Sequence, residues 1–244
     1  MYNVTINGQL FLLMLIEDLE LAGFHVISAN TDGVVARVET NRLDEYYKVC
    51  KDWSKRTKFN LEYTTYTNYI RTTVNDYLTV KEDGKTKAKG DFISDIQIDK
   101  GYYAPAIAKS LYEYYVNDNK DLDTIIRQYK IYDYCISIKV GSQFKSELHS
   151  IKNSKKHVEV LQKDNRYFVS NTGGVFLKHQ IENNTFTNVI KGNYITIFNT
   201  YYDAKDYNIN YRWYKQKVNN IINKINNTIT KDMKKTSGSM FDEI

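Results

Sequence analysis

Apolar positions recur with two different periods along this chain, and the switches between them mark out its elements. "GQLFLLMLIEDLELAG", residues 8–23, is apolar nearly all round, with an unbroken apolar run over residues 10–16. It predicts a buried helix with Gly23 as its stop. "FHVISA" then reads as a strand and "VVARVE" as its return, with "NTDG" between them. Asp-Gly between two such runs is a strong hairpin signal. Leu43, Tyr46, Tyr47, Cys50 and Trp53 fall at helical spacing, with Asn41 placed to cap that helix and Asp44 in its first turn. "NLEYTTY" alternates as a strand does. "YIRTTVNDYLTV" is a second strand, which "EDGK" turns back into "TKAKG".

The pattern changes after residue 100. "YAPAIAKSLYEYYVND" and "DLDTIIRQYKI" predict two helices. "DYCISIKVG", "HVEVLQ", "RYFVSN" and "GVFLKHQ" predict short strands. "YRWYKQKVNNIINKINN" predicts a last helix with Tyr214, Val218, Ile221, Ile222 and Ile225 on one face. "TKDMKKTSGSMFDEI" loses periodicity and reads as a mobile tail. The order of elements predicts an α+β protein. An antiparallel sheet with helices on one face, in the ferredoxin-like manner, is followed by a mixed α/β domain. The expected division is residues 1–100, residues 101–228 and a tail over 229–244, with the boundary near residues 99–103.

Composition adds bounds to this picture. At 244 residues the chain is long enough for a substantial core, and its apolar fraction of 42% is that of a globular protein. The formal net charge of +5 suits a polyanionic partner without demanding one. Cys50 and Cys135 each sit in an apolar-periodic stretch, which predicts two buried free thiols and a reducing compartment. His25, His149, His157 and His179 show no metal-ligand spacing. The apolar run at 10–16 is too short for a membrane span, and the N-terminus lacks the basic start of a signal peptide.

Two groups of residues could carry chemistry. Asp32 lies at a tight turn between two apolar strands. It is either a plain turn residue or a carboxylate mounted on a rigid edge, suited to a hard cation such as Mg²⁺. Arg71, Lys81, Lys85, Lys87 and Lys89 lie on or beside one predicted hairpin, with Tyr77 among them. Cations there would neutralise phosphates, and the tyrosine could pack on a sugar or base. The alternative is a solvated hairpin with no ligand.

"SANTDGV", after an apolar helix and strand, resembles motif C of the family B DNA polymerases, which usually reads Tyr-x-Asp-Thr-Asp-Ser. Thr31 and Asp32 match its Thr-Asp. Ser28 stands at the tyrosine, Asn30 at the first aspartate and Gly33 at the serine, a variant similar to that of many tailed-phage members. "TINGQLFLLMLIEDLELAG" is similar to the preceding helix of those enzymes. "RTTVNDYLTVKEDGKTKAKG" resembles the segment with the family's Lys-x-Tyr motif. There Tyr77 matches the tyrosine, Asn75 replaces the lysine, and Lys89 and Gly90 match a following Lys-Gly pair. "RYFVSNTGGVFLK" and "YNINYRWYKQKVNNII" resemble thumb segments more loosely.

The resemblance implies the end of a polymerase palm over residues 1–100 and a thumb over 101–228. It implies Asp32 as catalytic metal ligand for two Mg²⁺ ions shared with an aspartate of another chain. Thr31, Arg71, Asn75, Tyr77, Lys85, Lys87, Lys89 and Gly90 would contact DNA. Motifs A and B, which precede this region in the family, have no counterpart here. The implied partners are therefore primer-template DNA, a deoxynucleoside triphosphate and a complementary N-terminal polymerase chain. The implied location is the cytoplasm, the host's if the protein is viral. The terminal "SMFDEI", with Met240, Phe241 and Ile244, suggests a short peptide for docking on a sliding clamp. A DNA-binding module without catalysis, and a degenerate reading frame without a partner, remain the alternatives. The apolar helix at residues 9–21 is expected to drive self-association when the complementary chain is absent.

Overall fold

The computed structural model describes residues 2–31, 33–94 and 103–237. The chain divides into two compact units, Met1–Thr65 and Tyr66–Ile244. The boundary expected near residues 99–103 lies, but for residue 103, outside the described residues. The hairpin segment from Tyr66 onward, expected to share a sheet with the first hairpin, packs instead with the second unit. Among the described residues no helix is long and apolar enough to cross a membrane.

The first unit is built from helix α1 (Tyr2–Leu21), strands β1 (His25–Ala29) and β2 (Val34–Arg37), and helix α2 (Leu43–Thr57). Gly23 ends α1 as expected. At φ +80° it lets its own N–H reach the Glu20 carbonyl at 2.9 Å and the Phe24 N–H reach Leu19 at 2.9 Å. Leu19 and Phe24 then bury together with Leu15, Cys50 and Trp53. Arg42 binds this helix end from below. Its guanidinium donates to the carbonyls of Ala22 (2.7 Å) and Gly23 (3.3 Å) and lies 4.4 Å from the Phe24 ring centre. The Trp53 indole N–H donates to the Phe11 carbonyl at 2.9 Å. Asn41 does not cap α2. It lies in a 3₁₀ turn, Thr40–Arg42, and Arg42 occupies the cap position; its side chain caps no backbone N–H of the helix and instead donates to Glu45 Oε2 at 2.8 Å. "NLEYTTY" is not a strand either; residues 58–65 are irregular.

The second unit opens with β3 (Tyr66–Thr73), β4 (Asp76–Lys81) and β5 (Thr86–Lys89), an antiparallel sheet in that order. The single strand expected over residues 69–80 is thus two strands, folded at Val74-Asn75. Helix α3 (Pro105–Tyr115) follows, and the helix expected at 121–131 is one turn only, α4 (Leu122–Ile125). Next come β6 (Ile136–Lys139), β7 (Phe144–Lys152), β8 (Lys155–Leu161), β9 (Asp164–Ser170), β10 (Val175–Gln180), β11 (Thr185–Asn188) and β12 (Tyr194–Ile197). They form two antiparallel sheets, β12-β9-β6 and β11-β10-β7-β8. Strands β7, β11 and β12 were not expected. Helix α5 (Tyr211–Ser237) closes the chain and runs well past residue 227, into the segment expected to be a mobile tail.

The architecture is therefore α+β with antiparallel sheets, as expected. The described strands do not form one ferredoxin-like sheet, because β1–β2 and β3–β5 are separate. The predicted apolar face of α5 is fully realised: Tyr214, Val218, Ile221, Ile222 and Ile225 are all buried. They meet Phe168, Val169 and Ile195 of the β12-β9-β6 sheet, Ala106 and Leu111 of α3, and Leu78 of β4 in one core. Buried Tyr214 satisfies its hydroxyl in both senses. It accepts from the Val169 N–H at 2.9 Å and donates to the Tyr134 carbonyl at 2.8 Å. Cys50 and Cys135 are both free and buried, one in each unit.

Candidate nucleic-acid interface

Side chains alternate across a strand, so β3–β5 have two chemically distinct faces. Ile70, Leu78 and Ala88 lie directly opposite one another across the three strands. Leu78 is buried in the core of the second unit, and Ile70 and Ala88 pack against it. The next row, one residue along, is Arg71, Tyr77 and Lys89, again directly opposite one another. Beside it run Tyr69, Thr79 and Lys87. One face is thus anchored by aliphatic packing, which fixes the register of the other. That other face carries two cations flanking a tyrosine over two strand spacings, roughly 10 Å.

The end of the sheet at the β3–β4 turn is tightly organised. Lys89 Nζ donates to Asn75 Oδ1 at 2.8 Å. The Asp76 carboxylate accepts from Thr73 Oγ1 at 3.0 Å through one oxygen and from the Asp91 N–H at 3.2 Å through the other. The Asn75 N–H in turn donates to Thr73 Oγ1 at 3.2 Å. Gly90 is required here. Its φ is +63°, and a Cβ would lie 1.7 Å from Asp76 Oδ1 and 2.8 Å from the Asn75 carbonyl oxygen. Burial raises the Asp91 carboxyl above its usual range. The neighbouring Asp76 adds to this, and Lys224 and Lys217 oppose it.

Of the residues expected to contact DNA, the structure brings Arg71, Asn75, Tyr77, Lys87, Lys89 and Gly90 onto one face and one corner of this sheet. Lys85 is elsewhere. It sits in the β4–β5 turn, where its ammonium pairs with Asp83 at 2.9 Å, and that pairing holds the Asp83 carboxyl below its usual range. Thr31 belongs to the first unit and is exposed at the tip of the β1–β2 hairpin, where the Asn30 N–H donates to the Gly33 carbonyl at 3.0 Å. Asp32 lies outside the described residues, as do Met240, Phe241 and Ile244. Among the described residues no group of three or more His, Cys, Asp or Glu side chains could hold a metal ion.

Thr73, Asp76 and Asp91 build the corner, yet none stood out along the sequence. The signal was Asn75-Asp76, a turn pair masked by Thr72, Thr73 and Val74 before it and by the strand-like run from Tyr77 after it. Comparison with protein-family models gave no match, and comparison with curated proteins gave none either.

Proposed function

We propose that the chain is the C-terminal portion of a family B DNA polymerase of the tailed-phage type. In this reading residues 1–100 are the end of a palm, residues 101–228 are a thumb and residues 229–244 a tail, and motifs A and B are supplied from outside this sequence. One observation carries it. Asn75, Tyr77, Lys89 and Gly90, the positions that resemble the Lys-x-Tyr segment, converge on one corner of β3–β5. Lys89 is bonded to Asn75 and lies opposite Tyr77, and Gly90 is pressed against the Asn75 carbonyl and the Asp76 carboxylate.

The roles follow from chemistry. Arg71, Lys87 and Lys89 neutralise phosphates of the primer-template, and Tyr77 packs on a sugar between them. The contacts read no base, as a polymerase requires. Asp32, which follows β1 and precedes β2 in sequence, would supply one carboxylate for two Mg²⁺ ions, and an aspartate of the other chain the second. Such ions would supply activation of the primer hydroxyl and charge neutralisation at the triphosphate.

Primer extension tests this reading. The chain alone with Mg²⁺ should not extend a primer, whereas the chain mixed with its complementary N-terminal chain should. Asp32→Asn in that mixture should still bind duplex and should not extend. Extension by Asp32→Asn at the wild-type rate would remove Asp32 from the metal site. Absence of duplex binding by the wild-type chain would remove the whole reading. A non-catalytic DNA-binding module is the second reading. It draws support from the basic face lying wholly within the second unit, on that unit's own core. Tight duplex binding without extension in the presence of the complementary chain would select it.

A further inference from the structure

Two hollows of about 350 and 310 Å³ lie beside the start of α5 in the second unit, and the polymerase reading makes no use of them. Each volume falls within the range of small-molecule sites. Arg127, Tyr211 and Arg212 line both. The first hollow adds Asp123 and Lys215, which pair with each other, and the second adds Asp206. Among the described residues neither Arg127 nor Arg212 takes part in an ion pair. Arg127 is steadied by a ring, its guanidinium carbon standing 4.6 Å from the centre of Tyr211. The turn that carries Asp206 is pinned to the end of β9. The Asn171 N–H donates to the Asn208 carbonyl at 3.0 Å, and Asn208 Nδ2 donates to Thr172 Oγ1 at 2.6 Å. Asp206 Oδ1 accepts from the Asn208 N–H at 2.7 Å, and its other oxygen has no hydrogen bond among the described residues. Burial raises the Tyr211 hydroxyl above its usual range; Arg127 opposes this and Asp206 adds to it, so both charges act on the ring that the hollows share.

These features select among ligands. With Lys215 and Asp123 neutralising each other, the described lining leaves two guanidinium groups and one carboxylate. The guanidinium groups suit an oxyanion with several acceptor oxygens. A carboxylate with an open oxygen suits hydroxyl donors. An apolar ligand finds little to cover, because Ile126 and Ile209, the aliphatic residues of the described lining, are buried. A nucleobase finds no platform, since Arg127 lies over the Tyr211 ring and Tyr134 packs against it at 5.6 Å. A nucleic-acid strand would bring its further phosphates toward Asp206 and Asp123, like charge against like. A bare phosphate would leave Asp206 a repulsive neighbour with no donor to accept from. A phosphate monoester on a polyhydroxylated carbon frame meets both kinds of group. We propose that the paired hollows bind a sugar phosphate, its phosphate between Arg127 and Arg212 and its hydroxyls donating to Asp206. The site shares no residue with the β3–β5 face and is independent of the polymerase reading.

Calorimetric titration of the full chain at low salt tests it, with glucose 6-phosphate, inorganic phosphate and glucose as probes. Glucose 6-phosphate should bind saturably. Inorganic phosphate should bind about tenfold more weakly for want of the hydroxyl contacts, and glucose should give no saturable heat. Arg127→Gln/Arg212→Gln should abolish binding of both anions at an unchanged near-ultraviolet circular dichroism spectrum, which reports that the aromatic core around α5 is folded. Asp206→Asn separates the two halves of the site, and it decides alone should that spectrum change. It should weaken glucose 6-phosphate about three- to tenfold and, by removing a like charge, leave inorganic phosphate unchanged or tighter. Four results would each overturn the site. They are no saturable binding of glucose 6-phosphate up to about 10 mM; an affinity unaltered by the double arginine variant; tighter binding of both anions by Asp206→Asn, which would make that carboxylate a repulsive neighbour and nothing more; or a loss of about tenfold in duplex affinity in the double arginine variant, which would assign these arginines to a DNA backbone.

Discussion

Gly90→Ala is the sharpest perturbation available at the proposed DNA-binding corner, because two separate costs meet there. The first is conformational. At φ +63° an alanine sits in the left-handed region, which costs about 1–2 kcal/mol. The second is steric. The new methyl group would stand 1.7 Å from Asp76 Oδ1 and 2.8 Å from the Asn75 carbonyl oxygen. The carboxylate can swing away, but only by giving up its bonds to Thr73 Oγ1 and the Asp91 N–H, each worth about 1 kcal/mol. The carbonyl belongs to the turn backbone and cannot move alone. The total is about 3–4 kcal/mol. Gly84→Ala is the matched control. Gly84 has φ +78°, and nothing lies within 4 Å of the position its Cβ would take, so only the conformational cost of about 1–2 kcal/mol applies. Native-state hydrogen exchange at the β4 and β6 amides would read the second unit by itself. Equal losses in the two variants, or a loss below about 1 kcal/mol in Gly90→Ala, would refute the packing explanation.

Three further outcomes are expected. Lys87→Gln/Lys89→Gln should make the logarithmic salt dependence of duplex binding shallower by about 1–2, near 0.9 per phosphate released, as measured by fluorescence anisotropy at several salt concentrations; an unaltered slope removes these lysines from the interface. Glu147 accepts from His149 and His179 at 2.8 Å each. Its carboxyl is held below the usual range first by the His149 bond, against the opposing effect of burial, with His179 contributing further. A depressed carboxyl stabilises the fold above its unfolded pKa and ceases to do so as pH falls through its folded value. The stability advantage of the wild type over Glu147→Gln should therefore shrink in urea titrations as pH falls through and below the ordinary glutamate range, and a constant difference would contradict the assignment. On α1, Leu10 and Leu13 are 53% and 49% exposed. The isolated chain should self-associate in light-scattering chromatography, and Leu10→Lys/Leu13→Lys should reduce this at unchanged helix content; a monodisperse wild type would argue against a missing partner.

What was legible in the sequence follows from how local each signal is. The α1 stop at Gly23, the β1–β2 hairpin, the "EDGK" turn and the buried face of α5 are all set by residues within a few positions of one another. The helix expected at 121–131 failed for a different reason. Leu122, Ile125, Ile126 and Ile131 are all buried, so the apolar spacing was real. It records burial of a winding segment, which Asp121 starts by accepting from the N–H groups of Asp123 and Thr124 and a 3₁₀ turn at Ile131–Tyr134 completes. Strand β7 escaped notice because Ser146 and Glu147 are buried polar residues within it, which breaks the expected alternation. Its partner β8 follows through Asn153-Ser154, both at positive φ, a turn that glycine usually signals and here does not. The corner around Asn75 could not be assembled from spacing at all, since it joins Thr73 of β3, Asp76 of β4 and Lys89 of β5 to the 3₁₀ turn Gly90–Phe92.

Strand β8 has one further consequence. It ends its sheet, it has no neighbour on its outer side among the described residues, and residues 151–160 are all exposed. Its outward amide and carbonyl groups therefore form a template on which another extended chain can be laid as a fifth strand. Val158 and Val160, 50% and 68% exposed, would give such an addition an apolar face. Lys155 and Lys156, with Lys152 directly opposite Lys155, set like charge against like where two copies would meet. Neutralising those lysines would remove the charge that keeps this edge from pairing with another copy of itself.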